Sequence, residues 1–367
     1  MEITAAVARA KNAPFTIEQL TLGEPRADEV LVRLVATGIC HTDVAMRDHK
    51  IYPIPQPVVL GHEGAGIVER VGSAVTKVRA GDHVILSSNS CGHCPTCLDG
   101  MHIYCYDFYN HNFSGNRPDG SSPLSKGGEK IHYFHAQSSF ATYCVTRDRG
   151  LIKVDRDAPL ELLGPLGCGV ITGSGAVINS LNVGVGKSIA VFGTGPVGLS
   201  AIMAAKLVGA GIIIAVDLID SRLILAKDLG ATHTVNPGTG SVVDAIRAIA
   251  DMGVDYTLDT TGNMQVLRQA MDVLAPRGTC GYVGGAPAGA AVTVDVERMM
   301  VGGRTLRGII EGDANADVFL PKLIALHMLG RFPIDRMVTF YPFRDINKAV
   351  EDSLSGRTVK AILQFPD

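Results

Sequence analysis

Hydrophobic and polar positions alternate in short runs over the first part of the chain. Such runs occur at residues 30–35, 66–71 and 83–86, and glycine and proline residues separate them. Short alternating strands at close spacing are typical of an all-β region with a barrel-like or sandwich core. We therefore predict a mostly β domain over residues 1–170.

After residue 169 the pattern changes to apolar strands that alternate with alanine- and leucine-rich helical segments. The predicted helices include residues 199–207 and 222–229, and the predicted strands cover residues 188–192, 212–216, 256–259, 279–283 and 305–310. Strands that alternate with helices form a parallel sheet with helices on both faces, which is a doubly wound nucleotide-binding architecture. We therefore predict a second, α/β domain over residues 171–308.

The last part of the chain mixes the two kinds of element. Its pattern predicts helices near residues 318–329 and 346–354, and strands near residues 337–341 and 359–365. This segment is too short to bury a core of its own. Residues 309–367 are therefore expected to rejoin the first domain, which becomes discontinuous in sequence.

The composition is that of a globular protein and disfavours some classes of binding partner. Hydrophobic residues make up 46% of the 367 positions, charged residues make up 19%, and the formal net charge is −3. Such a chain buries enough apolar surface to fold and has no positive field for nucleic acid. We recognise neither a secretory leader nor a run of about 18 apolar residues. We expect a cytoplasmic protein that binds neither nucleic acid nor membrane.

A glycine motif after the first strand of the second domain suits a dinucleotide. The predicted strand runs into Gly193, Gly195 and Gly198, in the spacing G-x-G-x-x-G, and then into a helix. The first glycine allows a tight turn, the second lets the backbone approach a pyrophosphate, and the third allows the helix to pack closely on the strand. A glycine-rich turn without a ligand is the alternative for an isolated motif.

An acidic residue at the end of the next predicted strand supports the dinucleotide interpretation. Asp217 follows Gly198 by nineteen residues. A carboxylate there accepts the ribose hydroxyls and repels a 2′-phosphate, and Leu218 and Ile219 offer no cation to bind one. NAD is therefore favoured over NADP. Arg222, one helical turn further, either packs on the ribose or is a solvated helix residue.

Four cysteines lie within one short segment. Their spacing is Cys-x2-Cys-x2-Cys-x7-Cys, and they are Cys91, Cys94, Cys97 and Cys105. Four thiolates in one loop suit a closed tetrahedral zinc site, which has no open position and is therefore structural. Free thiols or two disulfides are the alternative. We predict a zinc lobe over about residues 88–108.

A second set of candidate metal ligands is dispersed along the chain. It consists of Cys40, His62 and Cys168. Two thiolates and one imidazole leave the fourth zinc position open, as a catalytic site requires. Taken alone, a buried cysteine is more often a small apolar residue than a ligand.

These segments together resemble the zinc-dependent medium-chain alcohol dehydrogenases. His62 and Glu63 lie in G-H-E-x2-G-x5-G-x2-V over residues 61–75, the family's zinc signature, and the four-cysteine lobe and the glycine loop follow in the family's order. The similarity spans essentially the whole chain. Cys-His-Thr-Asp at residues 40–43 is most similar to the benzyl (aryl) alcohol dehydrogenase branch. The resemblance implies a GroES-like, mostly β catalytic domain and a Rossmann NAD-binding domain.

The resemblance also implies roles around the metal. The three dispersed residues would bind the catalytic zinc, and Glu63 would be the neighbouring carboxylate that approaches the metal when water or product exchanges. Asp43 would hydrogen-bond His62 and fix its tautomer. Thr42 would receive the proton of the substrate. With the four-cysteine lobe, this implies two zinc ions per chain, one catalytic and one structural.

Three further positions match family residues that lie near the cofactor. Thr172 and Val197 would flank the nicotinamide, and Lys360 would lie near the pyrophosphate. We add Val283, at the end of a predicted strand, as a candidate cofactor contact. The activity implied is the oxidation of a primary alcohol to an aldehyde, with hydride transfer to NAD.

One position departs from the family pattern. Many family members end a proton relay at a histidine five residues after the first zinc cysteine, and the corresponding residue here is Ala45. His41, beside Thr42, stands where the family often has an arginine that touches the pyrophosphate. An imidazole either binds phosphate or takes a proton. We hypothesise that His41 takes the proton.

The substrate is less clearly indicated. Residues 104–143 contain nine of the twenty aromatic residues of the chain. Aromatic side chains either line a pocket for planar benzyl-type or allylic alcohols or join the zinc lobe to the β region. The benzyl assignment therefore depends mainly on the resemblance.

Two other classes of function remain open. One is another zinc alcohol dehydrogenase of the superfamily, acting on a terpenol such as geraniol, a polyol or S-(hydroxymethyl)glutathione. The other is a non-enzymatic protein that binds zinc and nucleotide. The predicted apolar strand 305–310 would lie at the edge of the sheet, where it invites pairing with a second subunit. We expect a homodimer or homotetramer.

Overall fold

The computed structural model describes residues 1–366 and contains eighteen β-strands and twelve α-helices in that range. The strands are β1 (Glu2–Ala8), β2 (Thr16–Leu22), β3 (Glu29–Gly38), β4 (Val58–Val59), β5 (Gly64–Val71), β6 (His83–Leu86), β7 (Leu124–Lys126), β8 (Glu129–Tyr133), β9 (Tyr143–Arg147), β10 (Leu151–Val154), β11 (Ser188–Phe192), β12 (Ile212–Val216), β13 (His233–Val235), β14 (Val254–Asp259), β15 (Leu274–Tyr282), β16 (Thr305–Gly308), β17 (Val338–Pro342) and β18 (Lys360–Gln364). The helices are α1 (His41–Arg47), α2 (Pro95–Leu98), α3 (Phe108–Asn112), α4 (Leu160–Leu163), α5 (Gly169–Gly175), α6 (Pro196–Leu207), α7 (Asp220–Leu229), α8 (Val242–Ile249), α9 (Met264–Asp272), α10 (Val296–Gly302), α11 (Ala316–Met328) and α12 (Ile346–Leu354).

The chain forms two compact units. The first contains residues 1–168, 315–328 and the chain from Ile334 onward, and the second contains residues 169–314 and 329–333. The first unit is discontinuous. Its first boundary lies two residues before the expected position 170, and the chain returns to it at residue 315 rather than 309. The assignment of residues 329–333 to the second unit was not expected.

The first unit is built from a barrel and a sheet. Strands β1, β2, β7, β8 and β4 close the barrel, and β10, β6, β5, β3, β18 and β17 form the path of a seven-stranded sheet in which β9 also pairs with β3. Strand β3 is buried along most of its length. It needs partners for its backbone, and the C-terminal β18 supplies one, with Ile362 opposite Gly38. This pairing explains why the end of the chain returns to the first unit.

The second unit is a parallel six-stranded sheet with the order β13-β12-β11-β14-β15-β16. Its strands β11 and β12 are almost continuously apolar and buried. This is typical of a parallel sheet that is covered on both faces. One strand, β13, lies beyond β12, and three strands, β14, β15 and β16, lie beyond β11, which is the doubly wound order of a Rossmann fold.

Strand β16 lies at one edge of this sheet, as predicted. It spans four residues rather than the six expected, and its side chains are mostly exposed. Its outward backbone groups have no neighbouring strand among residues 1–366.

None of the single helices in the described chain is both long and apolar enough to cross a membrane. Leu160–Gly167 and Gly169–Ser180 meet that length and composition only together, as a bent pair.

Candidate functional site

The dispersed metal-ligating residues meet in the first unit. Cys40 is the N-cap of α1, His62 precedes β5, and Cys168 follows a 3-10 turn. The ligand atoms of these three residues and of Glu63 all lie within 4.8 Å of one another. The His62 Nε2 atom lies 3.2 Å from the Cys168 sulfur. The fold thus assembles the two thiolates and one imidazole that the sequence predicted.

Asp43 connects two of these ligands. Its Oδ1 lies 2.7 Å from His62 Nδ1 and accepts a hydrogen bond from the Gly61 amide at 3.0 Å. Its Oδ2 accepts a hydrogen bond from the Cys40 amide at 3.1 Å. Burial acts to lower the pKa of His62, but the charge and hydrogen bond of Asp43 raise it well above its ordinary value. Because Nδ1 is engaged, Nε2 remains available to a metal.

The donor set fits zinc. Cys40, His62 and Cys168 are two soft thiols and one imidazole, and neither thiol forms a disulfide. A hydrogen bond with Cys168, together with nearby His62 and Lys360, holds the pKa of the Cys40 thiol well below its ordinary value. A thiolate is the form that binds metal. With three protein ligands, the fourth position of a tetrahedral zinc is open to substrate.

Lys360 forms an ion pair that the sequence did not indicate. Its Nζ pairs with Glu63 Oε2 at 2.5 Å and donates to the Ile39 carbonyl at 3.0 Å. Both charged side chains are buried, with exposed fractions of 2% and 0%. Burial raises the pKa of Glu63, and Lys360 opposes that shift. In this arrangement the ammonium of Lys360 neutralises Glu63 beside the candidate metal ligands, and its contact with the pyrophosphate stays a prediction.

Two glycines make room for these buried groups. A Cβ atom at Gly38 would lie 1.9 Å from Glu63 Oε2. Gly61 has a φ of +92°, and a Cβ there would lie 2.5 Å from the backbone nitrogen of Phe140. Glycine at both positions therefore lets the backbone carry His62 and Glu63 close to β3 and to the segment before β9.

The four cysteines of the predicted lobe also come together. The sulfurs of Cys91, Cys94, Cys97 and Cys105 lie within 4.8 Å of one another, and none forms a disulfide. The Cys91 and Cys97 sulfurs are 3.9 Å apart. Zn–S bonds of about 2.3 Å in a tetrahedron place sulfurs about 3.8 Å apart, so the arrangement fits zinc. A hydrogen bond with Thr96 contributes most to lowering the pKa of Cys94 to about 5.

The glycine loop of the second unit joins β11 to α6 as predicted. Gly193 has a φ of +89°, and a Cβ at Gly198 would lie 1.8 Å from the Gly193 carbonyl oxygen. These two positions therefore require glycine for the turn and for close packing. A Cβ at Gly195 would meet no atom within 4 Å. The space beside Gly195 suits the close approach of a pyrophosphate, so the loop fits a dinucleotide.

Asp217 supports the glycine loop directly. Its Oδ2 accepts hydrogen bonds from the backbone amide and the hydroxyl of Thr194, both at 2.7 Å, and its Oδ1 accepts one from the Ile219 amide at 3.0 Å. The sequence did not indicate this second task. Arg222 lies on α7, half-buried, and its buried Nε has no hydrogen-bond partner in the described chain.

The remaining predicted residues lie in both units. His41 is the exposed first residue of α1, with the half-buried Thr42 beside it and Ala45 one turn further. The predicted nicotinamide contacts belong to the second unit. Thr172 is on α5, Val197 is in the first turn of α6, and Val283 directly follows β15. Their roles toward a cofactor remain predictions.

Two residues next to the metal ligands carried no signal in the sequence. The Gln137 side chain donates to the His62 carbonyl at 3.1 Å and accepts from the Gly64 amide at 3.3 Å. His135 lies with its ring centroid 5.1 Å from that of His62. Burial lowers the pKa of His135 well below its ordinary value. Neither residue belongs to a spaced motif, and only the density of aromatic residues around them was notable.

The aromatic residues of this region lie in two places. A continuous run of ring contacts leads from Tyr52 through Phe113 and Phe134 to His62, with centroid separations of 5.6, 5.7 and 5.6 Å. Phe140 instead packs against Phe15 in the barrel core, with centroids 5.7 Å apart. Part of the aromatic cluster is therefore structural, and part lies beside the candidate catalytic site.

A cavity of about 680 Å³ lies beside the four-cysteine lobe. Its three arginines are already paired with carboxylates: Arg26 with Asp119 at 2.8 Å, Arg117 with Glu29 at 2.6 Å, and Arg147 with Asp28 at 3.0 Å. These charges neutralise one another, and the cavity is lined by none of the three dispersed ligands. The candidate chemistry is therefore located elsewhere, at the dispersed ligands.

Comparison with known proteins agrees with this geometry. Residues 26–156 match the model of the alcohol dehydrogenase GroES-like domain, and residues 196–325 match that of the zinc-binding dehydrogenase domain. Geraniol dehydrogenase of Castellaniella defragrans is 43% identical over 364 residues, which cover 98% of this chain and 97% of the relative.

Solved structures agree over the full length. The crystal structure of an alcohol dehydrogenase zinc-binding domain protein from Burkholderia ambifaria has a TM-score of 0.98 at 54% identity. That of benzyl alcohol dehydrogenase from Acinetobacter calcoaceticus has a TM-score of 0.97 at 47% identity. Both alignments cover 100% of each chain. The protein described here therefore belongs to the zinc-dependent medium-chain alcohol dehydrogenase family.

Proposed function

We propose that the protein oxidises primary aromatic or allylic alcohols of the benzyl type to aldehydes, reversibly and with NAD. The reaction converts the alcohol and NAD⁺ into the aldehyde, NADH and a proton. The observation that carries the aromatic preference is the run of rings that ends on His62, a candidate zinc ligand. Planar substrates suit such surroundings because rings pack favourably edge to face or offset.

The residues of the site have separate roles around a zinc ion and NAD. When bound, zinc supplies Lewis acidity that eases ionisation of the alcohol, and NAD supplies the hydride acceptor. Cys40, His62 and Cys168 hold the metal. Asp43 keeps Nε2 of His62 directed to it. Thr42 accepts the alcohol proton and passes it outward, and His41 next to it receives the proton.

The cofactor preference is for NAD. The carboxylate of Asp217 stands at the end of β12, where it repels a 2′-phosphate. Its hydrogen bonds to Thr194 hold it rigidly beside the glycine loop. The space at Gly195 receives the pyrophosphate.

A terpenol such as geraniol is the second candidate substrate. The relative from Castellaniella defragrans, 43% identical, is a geraniol dehydrogenase. Geraniol and benzyl alcohol both carry the reacting carbon next to a π system, so one aromatic surface can accommodate either class.

We also propose that the protein is a homo-oligomer. The edge strand β16 is exposed, and Ile310 just beyond it is a large exposed apolar residue. Pairing of two such edges would satisfy their outward backbone groups. Sedimentation equilibrium tests this proposal, and a monomer at micromolar concentration would exclude it.

A substrate panel tests the proposed activity. NADH formation is followed with benzyl alcohol, geraniol, ethanol, a polyol and S-(hydroxymethyl)glutathione, and zinc is measured on the same sample. We expect kcat/KM for benzyl alcohol to exceed that for ethanol. The reverse order would refute the aromatic preference. A chain with only one zinc and no activity on any alcohol would support a non-enzymatic role.

A further inference from the structure

His135 is a buried polar residue beside the metal ligands to which the proposed mechanism assigns no task. Its side chain is 5% exposed, and its Nδ1 has no hydrogen-bond partner within residues 1–366. Buried polar atoms are nearly always paired, and an orphaned one costs stability. His49, His83 and His102 also have an unpaired ring nitrogen. What distinguishes His135 is its contact with the ring of His62.

The backbone around His135 is strained. His135, Ala136 and Ser138 have φ values of 56°, 49° and 52°, in the left-handed region that residues other than glycine rarely adopt. Such conformations persist only where the surroundings enforce them, and they cluster at functional sites. His135 therefore combines two features that lower stability independently, a strained backbone and an unpaired nitrogen.

Hydrogen bonds enforce this conformation. The amide of His135 donates to the Asn112 carbonyl at 2.8 Å. The Ser138 hydroxyl donates to the Val59 carbonyl at 2.7 Å and accepts from the Phe134 amide at 2.8 Å. The position of the imidazole is thus set by contacts on both sides of it, as a preorganised binding group requires.

The imidazole is the polar member of an otherwise aromatic wall. The rings of Phe134, Phe113 and Phe108 surround it, with centroids 5.4, 5.6 and 6.5 Å away. The wall continues through Phe113 to Tyr52, which is 41% exposed. The three phenylalanine rings around His135 offer only apolar surface, so a planar substrate packed against them would find a polar partner in its imidazole.

We propose that His135 is a specificity-determining residue that forms a hydrogen bond with a second polar group of the substrate. The favoured alcohols are benzyl-type alcohols that carry a hydroxyl on the ring. This inference rests on the proposed function, which places the alcohol oxygen at the metal ligands. A ring hydroxyl would pair with the imidazole, whereas a methyl group of similar size would leave it unpaired.

Matched substrate pairs test the proposal. Steady-state kinetics compares hydroxybenzyl with methylbenzyl alcohol for the ortho, meta and para isomers, with benzyl alcohol as the reference. For at least one isomer we expect about a 10-fold preference for the hydroxyl compound, expressed mainly in KM. His135→Phe keeps a ring but offers no hydrogen bond, so the preference should fall to about one. His135→Asn tolerates the left-handed backbone, retains hydrogen-bonding groups and should restore part of the preference.

His49→Phe is the matched control. His49 also has a positive φ, 50°, and an unpaired ring nitrogen, but no ring contact joins it to His62. This variant should keep the wild-type preference, so a general effect of removing a strained histidine would be recognised.

Binding without turnover gives a second measurement. Calorimetric titration of the zinc-loaded protein in the absence of NAD should show the same preferred hydroxyl compound binding several-fold tighter than its methyl partner. If wild-type protein does not oxidise benzyl alcohol, the proposed function is wrong and this inference falls with it. If the wild-type protein oxidises benzyl alcohol but shows no preference for the hydroxyl compound in any pair, by kinetics or calorimetry, only the role of His135 is refuted. This conclusion does not depend on whether His135→Phe folds.

Discussion

The Nζ atom of Lys360 lies 2.5 Å from Oε2 of Glu63, and both side chains are buried next to the candidate metal ligand His62. An ion pair removed from water in this way is costly to break, because either partner alone becomes an uncompensated buried charge. The pair therefore links the end of the chain to the candidate catalytic site through electrostatics.

Replacing Lys360 with methionine tests the importance of this pair. Lys360→Met should lower the free energy of unfolding by about 3–5 kcal/mol, measured by urea denaturation, because Glu63 loses its cation. The double variant Lys360→Met/Glu63→Gln should recover part of the loss. Lys348→Met, at an exposed position on α12, is the control and should change little.

The same variant distinguishes the observed position of Lys360 from a pyrophosphate contact. We expect the affinity for NADH, measured by fluorescence titration, to change by less than about threefold, since a tenfold change corresponds to about 1.4 kcal/mol. Unaltered stability combined with a tenfold weaker NADH complex would contradict this assignment.

The two-zinc stoichiometry is tested by removing one cysteine of the lobe. Cys97→Ser should reduce the zinc content from about two ions per chain to about one, measured by plasma emission spectrometry, because a closed structural site needs four ligands. Cys144→Ala is the control, since Cys144 lies in a hydrophobic core. A wild-type protein with one zinc, or a Cys97 variant with two, would overturn the assignment.

The role of Asp217 is tested by the ratio of kcat/KM for NAD to that for NADP. Asp217→Ala should lower this ratio by at least about tenfold, because it removes both a partner of the ribose hydroxyls and a charge that repels a 2′-phosphate. Asp220→Ala, an exposed position at the start of α7, should leave the ratio unchanged. An unaltered ratio in Asp217→Ala would remove Asp217 from cofactor selection.

The role of His41 is tested by the pH dependence of alcohol oxidation. Arginine is always positively charged and does not accept a proton near neutral pH. His41→Arg should therefore slow alcohol oxidation near neutral pH and change the pH profile of kcat/KM. His233→Arg, at an exposed position on β13, is the control. An unchanged profile in His41→Arg would exclude His41 as proton acceptor and favour a phosphate contact.

The elements of the second unit were well indicated by local pattern. The predicted strands 188–192 and 212–216 coincide with β11 and β12. Their apolar runs are bounded by glycines and by a charged residue, and both signals are local. The helices α8, α9 and α10 were not specified, although α8 and α9 each bury an apolar face.

The two sets of candidate metal ligands differ in how far apart their residues lie in the sequence. The four cysteines of the lobe could be recognised from spacing, because one loop brings them together. Cys40, His62 and Cys168 lie too far apart for spacing to join them, so a family resemblance was needed to group them. The structure then brought their ligand atoms within 4.8 Å of one another.

The sequence by itself determined the two domain types, the glycine loop and the four-cysteine site, because periodicity and short spacings encode them. The dispersed site was grouped only by the resemblance to a known family. Tertiary structure alone decided that Lys360 pairs with Glu63, since that contact depends on β18 pairing with β3. It also decided that His135 and Gln137 reach His62. These contacts join residues more than seventy positions apart, and no local pattern records which strands and loops will meet.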